Sequence, residues 1–186
     1  MKFCSQCGSS VIQTIPDGDN LPRHVCEHCN MIHYQNPKII AGTIPEWDNK
    51  VLLCKRAIEP RHGLWTLPAG FMENSETTIQ GALRESMEEA NAQLTNMTLF
   101  CVFSIPHISQ VYMMYRGELI NGQASPGTES LELDLFSEEN IPWEEIAFPV
   151  ITETLKLYFK DKATGNFSTH SGDIIRDNNQ LIVSHY

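Results

Sequence analysis

The sequence predicts an α/β protein, a three-layer α/β/α sandwich on a mixed sheet, preceded by a small cysteine-rich unit. A series of strand-like segments surrounds two segments with helix-like spacing of apolar residues. Four of the six cysteines stand in two C-x2-C pairs near the start of the chain. With 186 residues, of which 41% are hydrophobic, the chain can form one medium domain with a packed core and a small appendage.

The cysteine-rich unit is predicted to occupy residues 1–35. Short strands are expected at residues 11–15 and 23–25, with a turn at Asp17-Gly18 between them. Gly8 and Asn30 each follow the second cysteine of a pair, where a metal-binding turn requires unusual backbone angles. The C-x2-C pairs, separated by 18 residues, are typical of a four-thiolate structural zinc site and consist of Cys4, Cys7, Cys26 and Cys29.

Two disulfides are the alternative use of these cysteines. Nothing at the start of the chain resembles an apolar signal segment, so reduced thiols, zinc and a cytoplasmic location are expected. A unit of about 35 residues is too small to keep a fold without a bound metal ion or disulfide bonds. Because four thiolates complete a tetrahedron, His24, His28 and His33 are interpreted as surface residues. Cys54 and Cys101 lie in apolar stretches and are expected to be buried small hydrophobes.

Residues 36–160 are predicted to form the main domain, and residues 161–186 a polar tail whose conformation the sequence does not determine. Ile182-Val183 hints at a short strand in that tail. Pro149 is expected to open the last helix. Strands are predicted at residues 39–44, 51–55, 64–67, 98–103, 111–119 and 131–136.

An acidic helix is the most informative segment of the domain. Ser75 is its expected N-cap and Asn91 its expected left-handed C-cap. Three carboxylates near the C-terminal end share one face because of their i, i+3, i+4 spacing: Glu85, Glu88 and Glu89. Like charges at this spacing cost roughly 0.2–0.5 kcal/mol per pair, and the helix dipole disfavours them there. A solvated acidic face is the alternative, but clustered carboxylates suit a hard divalent ion, magnesium or manganese.

The opposite side of this helix is expected to pack on the sheet. Its apolar stripe is predicted to consist of Ile79, Ala82, Leu83, Ser86 and Ala90. Upstream, residues 67–71 are interpreted as a strand that breaks into a tight turn at Gly70. The acids would therefore gather over that turn.

This segment matches the Nudix box: Gly, five residues, Glu, seven residues, Arg-Glu, an aliphatic, any residue, Glu-Glu, any residue, Gly, an aliphatic. The residues in register are Gly70, Glu76, Arg84, Glu85, Glu88 and Glu89. The chain thus resembles Nudix hydrolases, whose fold is also the α/β/α sandwich and which cleave nucleoside diphosphates linked to another group. Ser86, Asn91 and Ala92 depart from the pattern, and none of them replaces an acid.

The resemblance implies roles for the acids. Glu85 and Glu89 would be direct metal ligands together with the carbonyl of Ala69, and Glu88 would be a ligand or a base. Glu129, from a later loop, would bind metal or act as general base, and Glu132 is the second choice for that role.

Other residues of the segment would support the site. Arg84 is expected to pair with Glu76 and hold the loop after Gly70 against the helix. Glu73 could reach a further ion.

Basic and aromatic residues near the box are weaker candidates. Lys55, Arg56 and Arg61 could hold a phosphate, although surface solubility explains them equally well. Aromatic side chains near strands are more often core residues than ring-stacking residues. The aromatic candidates for stacking on a substrate ring are Trp65, Phe71 and Tyr112.

The resemblance is strongest to zinc-ribbon Nudix proteins that act on dinucleotides. Residues 63–73 are similar to the corresponding segment of ADP-ribose and FAD pyrophosphatases, which release two monophosphates. NADH pyrophosphatases carry Ser-Gln-Pro-Trp-Pro-Phe-Pro after the box, whereas this chain has Ser-Ile-Pro-His-Ile-Ser-Gln at residues 104–110. NADH or another dinucleotide, a nucleoside triphosphate, and a non-catalytic zinc-ribbon binding module stay open as alternatives.

Charge and hydropathy limit the partners. A net charge of −10 argues against general nucleic-acid binding, and residues 1–40 contain three basic and three acidic residues. No run approaches the roughly 20 apolar residues of a membrane span. A small nucleotide is therefore the expected ligand, and the ribbon would act either as a homodimer contact or as a stabilising cap.

Overall fold

The computed structural model describes residues 1–178 and 180–186. These residues divide into two compact units, Met1–Asn36 and Pro37–Tyr186. Within the part of the chain that is described, no helix combines the length and the apolar character needed to cross a bilayer.

The smaller unit is a three-stranded antiparallel sheet with the order β1-β2-β3. Gly8 and Asn30 have φ angles of +76° and +58°, which confirms the unusual backbone expected after each cysteine pair. Asp19, after the predicted turn, accepts a hydrogen bond of 2.9 Å from Nε of Arg23 and so fixes the start of the second strand. The strands are Ile12–Thr14 (β1), Arg23–Val25 (β2) and Ile32–His33 (β3).

In the part of the chain that is described, the larger unit contains two α-helices, four short 3-10 helices and a nine-stranded mixed sheet. Its α-helices are Thr78–Ala90 (α1) and Pro149–Thr164 (α2). Its strands are Lys38–Trp47 (β4), Lys50–Arg56 (β5), Trp65–Thr66 (β6), Ala69–Phe71 (β7), Leu94–Ile105 (β8), Gln110–Leu119 (β9), Ser130–Phe136 (β10), His170–Asp177 (β11) and Gln180–His185 (β12).

The sheet order is β10-β5-β4-β9-β8-β11-β12, with β6 paired to β5 and β7 paired to β4. The pairs β4–β9 and β8–β11 are parallel, and the other pairs are antiparallel. The sheet is therefore mixed, as the sequence predicts.

The two helices cover opposite faces of this sheet. Along β4, Ile40 and Ile44 pack in the core with residues of α2, whereas Ala41 packs with Ala82 of α1. This alternation follows from the two-residue period of a strand. It confirms the predicted three-layer α/β/α sandwich.

The start of α1 differs from the prediction. The N-cap is Thr77, not Ser75, because Ser75 has a left-handed φ of +72° while an N-cap needs extended backbone. Thr77 and Gln80 form a capping box in which each side chain accepts from the other residue's backbone N–H. At the other end, Asn91 has φ 45° and ψ 32°, which confirms the predicted left-handed C-cap.

The buried face of α1 also differs. Ile79 is 39% exposed, so its placement in the packing stripe is wrong. The helix instead approaches the sheet through small residues: Ala82 packs against Ala41, and a Cβ added at Gly81 would lie 3.5 Å from the same alanine. Ser86 is fully buried; its hydroxyl donates to the Ala82 carbonyl and lies 2.6 Å from the hydroxyl of Thr43. Ser86, which stands where the Nudix box usually has an aliphatic residue, is thus fully hydrogen-bonded.

The described part of residues 161–186, whose conformation could not be predicted from the sequence, contains regular secondary structure. Helix α2 ends at Gly165, whose φ is +69°, and β11 and β12 then form a hairpin on the edge of β8. The carboxylate of Asp161 lies 2.8 Å from Nε2 of His170 and accepts from the backbone N–H of Ser168. These contacts fix the hairpin to the end of α2.

Candidate active site and metal centres

The centre of the candidate site is the contact between β7 and α1. The backbone N–H of Ala69 donates to Oε2 of Glu89 at 3.2 Å. A Cβ added at Gly70 would lie 2.3 Å from the carboxyl group of Glu85, so only glycine permits this approach. The predicted glycine turn is wrong, because Gly70 lies within a strand and is required for close packing instead.

Two of the three predicted helix acids are buried against that strand. Glu85 is 9% exposed and Glu89 is 6% exposed. Burial, and next the charge of Glu85, raises the pKa of Glu89 to about 8. Burial also raises the pKa of Glu85, although Arg84 partly offsets it. A divalent cation fits these two adjacent carboxylates, because it would offset both the burial of their charges and the repulsion between them.

Arg84 connects the acids to the loop before the helix. Its Nε and Nη2 donate to both carboxylate oxygens of Glu76, at 3.1 and 2.9 Å. Its Nη1 donates to Glu85 at 2.7 Å and to the largely exposed Glu88 at 3.1 Å. Glu76 also accepts a hydrogen bond from the backbone N–H of Glu73, which is an exposed residue. The network therefore fixes residues 71–76 against α1.

The loop that carries Glu129 lies on the C-terminal end of α1. The backbone N–H groups of Ser125 and Gly127 each donate, at 2.9 Å, to carbonyl groups of the last turn. Asn91 donates through Nδ2 to the carbonyls of Ser125 and Pro126. The charge of Glu129 raises the pKa of both Glu85 and Glu89, so its exposed side chain lies on the same side as the acids.

Glu132, the second choice for the loop acid, has another partner. Its Oε2 accepts from Nζ of Lys55 at 3.2 Å across the β5–β10 pair. This surface ion pair explains both residues without a role in the site.

Arg56, at the end of β5, lies between the acids and α2. Its charge opposes the rise in the pKa of Glu89, and its guanidinium lies 5.1 Å from the ring centroid of Phe148. Phe148 is the residue before α2, far from the box in sequence, so no spacing pattern could link the two. Arg61 has a left-handed φ of +71° and borders a cleft beside Phe148.

The aromatic candidates separate by burial. Trp65 is 6% exposed and packs edge-on against Phe136 at 5.0 Å, so it is a core residue. Phe71 is 50% exposed, with Nζ of Lys38 4.8 Å from its ring centroid. Tyr112 is 9% exposed and borders the same cleft as Arg61.

In the smaller unit, the four predicted zinc ligands are brought together. The sulfur atoms of Cys4, Cys7, Cys26 and Cys29 all lie within 4.8 Å of one another. The distances are 3.7 Å for Cys4–Cys29 and 3.5 Å for Cys7–Cys26, near the roughly 3.8 Å edge of a tetrahedron with Zn–S bonds of about 2.3 Å. Four thiolates at these distances fit a structural zinc ion.

One histidine of this unit differs from the interpretation. Nε2 of His33 lies 3.3 Å from Sγ of Cys4, and the backbone N–H of Gln6 donates to the same sulfur at 3.4 Å. His33 therefore contacts a predicted ligand and is not an ordinary surface residue. A donor placed on a thiolate in this way orients it and reduces its charge.

We expect the stability of the protein without added magnesium or manganese to fall as pH rises from about 5 to about 8. With a pKa of about 8 in the folded protein and an ordinary value of 4.5, Glu89 retains a proton across this range only when folded. Protonation therefore stabilises the folded state below this range, and the contribution is lost above it. Urea unfolding at several pH values measures the slope; the Glu89→Gln variant should show a smaller one, and an unchanged slope would contradict the assignment.

We also expect Gly127→Ala to displace the Glu129 loop. A Cβ at Gly127 would lie 1.8 Å from the carbonyl oxygen of Glu88, so the loop must move away from the helix. Overpacking of this kind costs roughly 1–3 kcal/mol. The melting temperature and the metal-activated turnover should both decrease. Thr128→Ala, at the exposed neighbouring position, is the matched control. Equal behaviour of the two variants would show that the contact is unimportant.

Comparisons with known proteins agree with this geometry. Residues 2–35 match the family model of the Nudix N-terminal zinc ribbon, and residues 37–156 match that of the NUDIX domain. An ADP-ribose pyrophosphatase of Methanocaldococcus jannaschii is 33% identical over 116 residues, which are 59% of this chain and 67% of that protein.

A NAD-capped RNA hydrolase NudC of Photobacterium profundum is 30% identical over 173 residues, covering 88% of this chain and 62% of that protein. The chain thus spans less than two thirds of that relative. The crystal structure of a NUDIX hydrolase from Nitrosomonas europaea is 58% identical, with a TM-score of 0.90, and the match covers 94% of this chain and 99% of that one.

Proposed function

The chain belongs to the NUDIX family, and we propose that it is a divalent-metal-dependent pyrophosphohydrolase that splits ADP-ribose or FAD into two monophosphates. The observation that carries the proposal is the pair of buried carboxylates, Glu85 and Glu89, on the strand-facing side of α1. Buried acids with raised pKa values are typical of functional sites.

The donor set supports magnesium or manganese as the metal. Glu85, Glu89, the carbonyl oxygen of Ala69 and Glu129 would hold it, and all of these ligands are oxygen atoms. When bound, such an ion neutralises phosphate charge and lowers the pKa of its bound water.

The other residues of the site position the reacting groups. Arg84 holds Glu85 and Glu88 in place through Nη1, so the two acids keep a fixed separation. Glu88 is open to solvent and can accept a proton from an attacking water. Arg56 faces the same acids and can hold the phosphate on the side of α2.

ADP-ribose is favoured as a substrate by the Methanocaldococcus jannaschii relative, which is named an ADP-ribose pyrophosphatase. Hydrolysis of a NAD-linked substrate is the second candidate. It is favoured because the match to the NudC relative covers more of the chain, 88% against 59%. The departure from the NADH pyrophosphatase motif at residues 104–110 argues against this second candidate.

A substrate panel tests the proposal. ADP-ribose, FAD, NADH, diadenosine polyphosphates and deoxynucleoside triphosphates are incubated with magnesium or manganese, and the products are resolved by chromatography. We expect AMP with ribose 5-phosphate from ADP-ribose, and AMP with FMN from FAD. The Glu89→Gln variant, the control for contaminating enzymes, should form these products roughly 10³-fold more slowly. Release of pyrophosphate from triphosphates would favour a sanitising enzyme, and hydrolysis of NADH alone would favour the second candidate.

We further propose that the zinc ribbon contacts a second copy of the chain. Its apolar side chains are unusually open to solvent, with Phe3 65%, Ile15 56% and Tyr34 61% exposed. Size-exclusion chromatography with and without a strong zinc chelator tests this. A dimer that dissociates on zinc removal supports the contact, whereas a monomer in both conditions shows that the ribbon is a cap.

A further inference from the structure

A cleft of about 150 Å³ opens on the side of the sheet that α2 covers, and Phe148, one of its lining residues, contacts Arg56. Tyr112 of β9 pairs with Ile40 of β4 and packs with it on the α2 face, and Ile40 also pairs with Phe71 of β7. Tyr112 lines the cleft together with Phe148, which precedes α2, and Ile174 of β11. The cleft is therefore aromatic and apolar on its inner side.

The rim of the cleft is basic although the chain has a net charge of −10. Arg61 and Arg176 both border the opening. Among the described residues that line it, none is an aspartate or glutamate. A ring-lined cleft with arginines at its mouth suits a planar aromatic ring attached to a phosphate.

Arg56 connects the cleft to the acids. Its guanidinium lies over Phe148, a lining residue, and its charge acts on both Glu89 and Tyr112. A nucleotide whose diphosphate lies at the acids would thus pass Arg56 and place one end group in the cleft. A volume of about 150 Å³ is below the roughly 300 Å³ of a complete ligand pocket, so only one ring system would enter.

The C-terminal hairpin forms one wall of this cleft. Arg176 and Leu181 are direct cross-strand partners, and both line it. The neighbouring partners Ile175 and Ile182 have the opposite strand parity and do not line the cleft. The match to the NUDIX domain ends at residue 156, so this wall lies outside the family domain.

We propose that the cleft is the subsite for the aromatic ring at one end of the substrate and that the hairpin, through Arg176 and Leu181, determines which ring is accepted. The role of the cleft in turnover rests on the proposed diphosphate hydrolysis. Binding of a nucleoside monophosphate in the cleft does not require that reaction and can be measured separately.

The test compares Arg176→Gln and Leu181→Ser with the matched hairpin variants Ile175→Ser and Ile182→Ser. AMP binding is measured by calorimetry, and kcat and KM are measured for ADP-ribose and FAD. We expect the two cleft variants to raise the Kd for AMP and the KM about tenfold, as truncation of a central contact does, with kcat within about twofold. The matched variants should resemble the unmodified protein, and thermal unfolding checks that all four are folded.

Cleft variants that bind AMP as tightly as the matched variants would overturn the subsite, whatever the hydrolase results. If the unmodified protein cleaves no diphosphate but the cleft variants still lose AMP binding, the subsite stands and the proposed hydrolysis fails. A shift in the preference between ADP-ribose and FAD in Leu181→Ser would support the hairpin as the specificity element, and equal losses for both would overturn that part.

Discussion

The Glu89→Gln variant should lose roughly 10³-fold in kcat while its melting temperature stays unchanged or rises. Glu89 is buried beside Glu85 and accepts one hydrogen bond from the Ala69 backbone, so the folded protein gains little from its charge. A bound metal ion stabilises the transition state by several kcal/mol, and about 1.4 kcal/mol is a factor of ten in rate. Removal of one of its ligands can therefore account for a loss of this size. Glutamine keeps the shape and removes the repulsion from Glu85.

Steady-state kinetics with ADP-ribose and magnesium, together with calorimetric unfolding, measure both effects. Glu132→Gln is the matched control, since that acid pairs with Lys55 on the surface. Glu88→Gln should also lose turnover by orders of magnitude. Its stability should change little, because the pair that it forms with Arg84 is largely exposed. Full activity in Glu89→Gln would remove this residue from the mechanism.

The Cys26→Ser variant should lose its zinc and unfold the unit Met1–Asn36. Cys26 is fully buried and contributes one of the four clustered sulfur atoms, and the unit has only three short strands around them. Zinc binding in small units contributes about 10–16 kcal/mol, more than such a sheet could replace. Zinc analysis by mass spectrometry and limited proteolysis of the first 36 residues measure the effect.

His28→Ala is the matched control for this variant. His28 lies between Cys26 and Cys29 and is exposed, so its removal should leave the zinc content at one ion per chain. In Cys26→Ser, the metal-activated turnover of the larger unit should fall less than the zinc content of the smaller unit. Retention of stoichiometric zinc by the serine variant would contradict the four-thiolate assignment.

The sequence predicts the layers of the fold because periodicity and caps are local properties. Asn91 is an example: a left-handed C-cap needs only the preference of that residue type. The N-cap could not be assigned as well, because Ser75 and Thr77 are both good caps and the packing of residues 71–76 on Arg84 decides between them. Ile79 was misplaced for the same reason. Which face of the helix packs on the sheet depends on tertiary contacts, and these bury the small residues and leave Ile79 exposed.

The candidate site was predictable as a spacing of charges but not as an arrangement in space. The i, i+3, i+4 pattern places Glu85, Glu88 and Glu89 together, yet only the approach of Gly70 buries two of them and leaves the third in solvent. The basic cleft depends on β11 and β12, whose exposed residues resemble a polar tail. Contacts between residues this far apart in the chain leave no local pattern.

The parallel pairing of β11 with β8 also moves the free edge of the sheet from β8 to β12. Residues His170–Asp173 pair with Cys101–Ser104, so the backbone of that segment is not left as an open edge. A chain without β11 and β12 would leave the amide and carbonyl groups of residues 101–104 unpaired on that side and uncover part of Phe103, which is now fully buried. Open apolar edges recruit strands from other molecules. The segment beyond the family domain therefore exchanges an edge strand of 12 residues for one of 6 residues, and short edge strands pair less readily with other molecules.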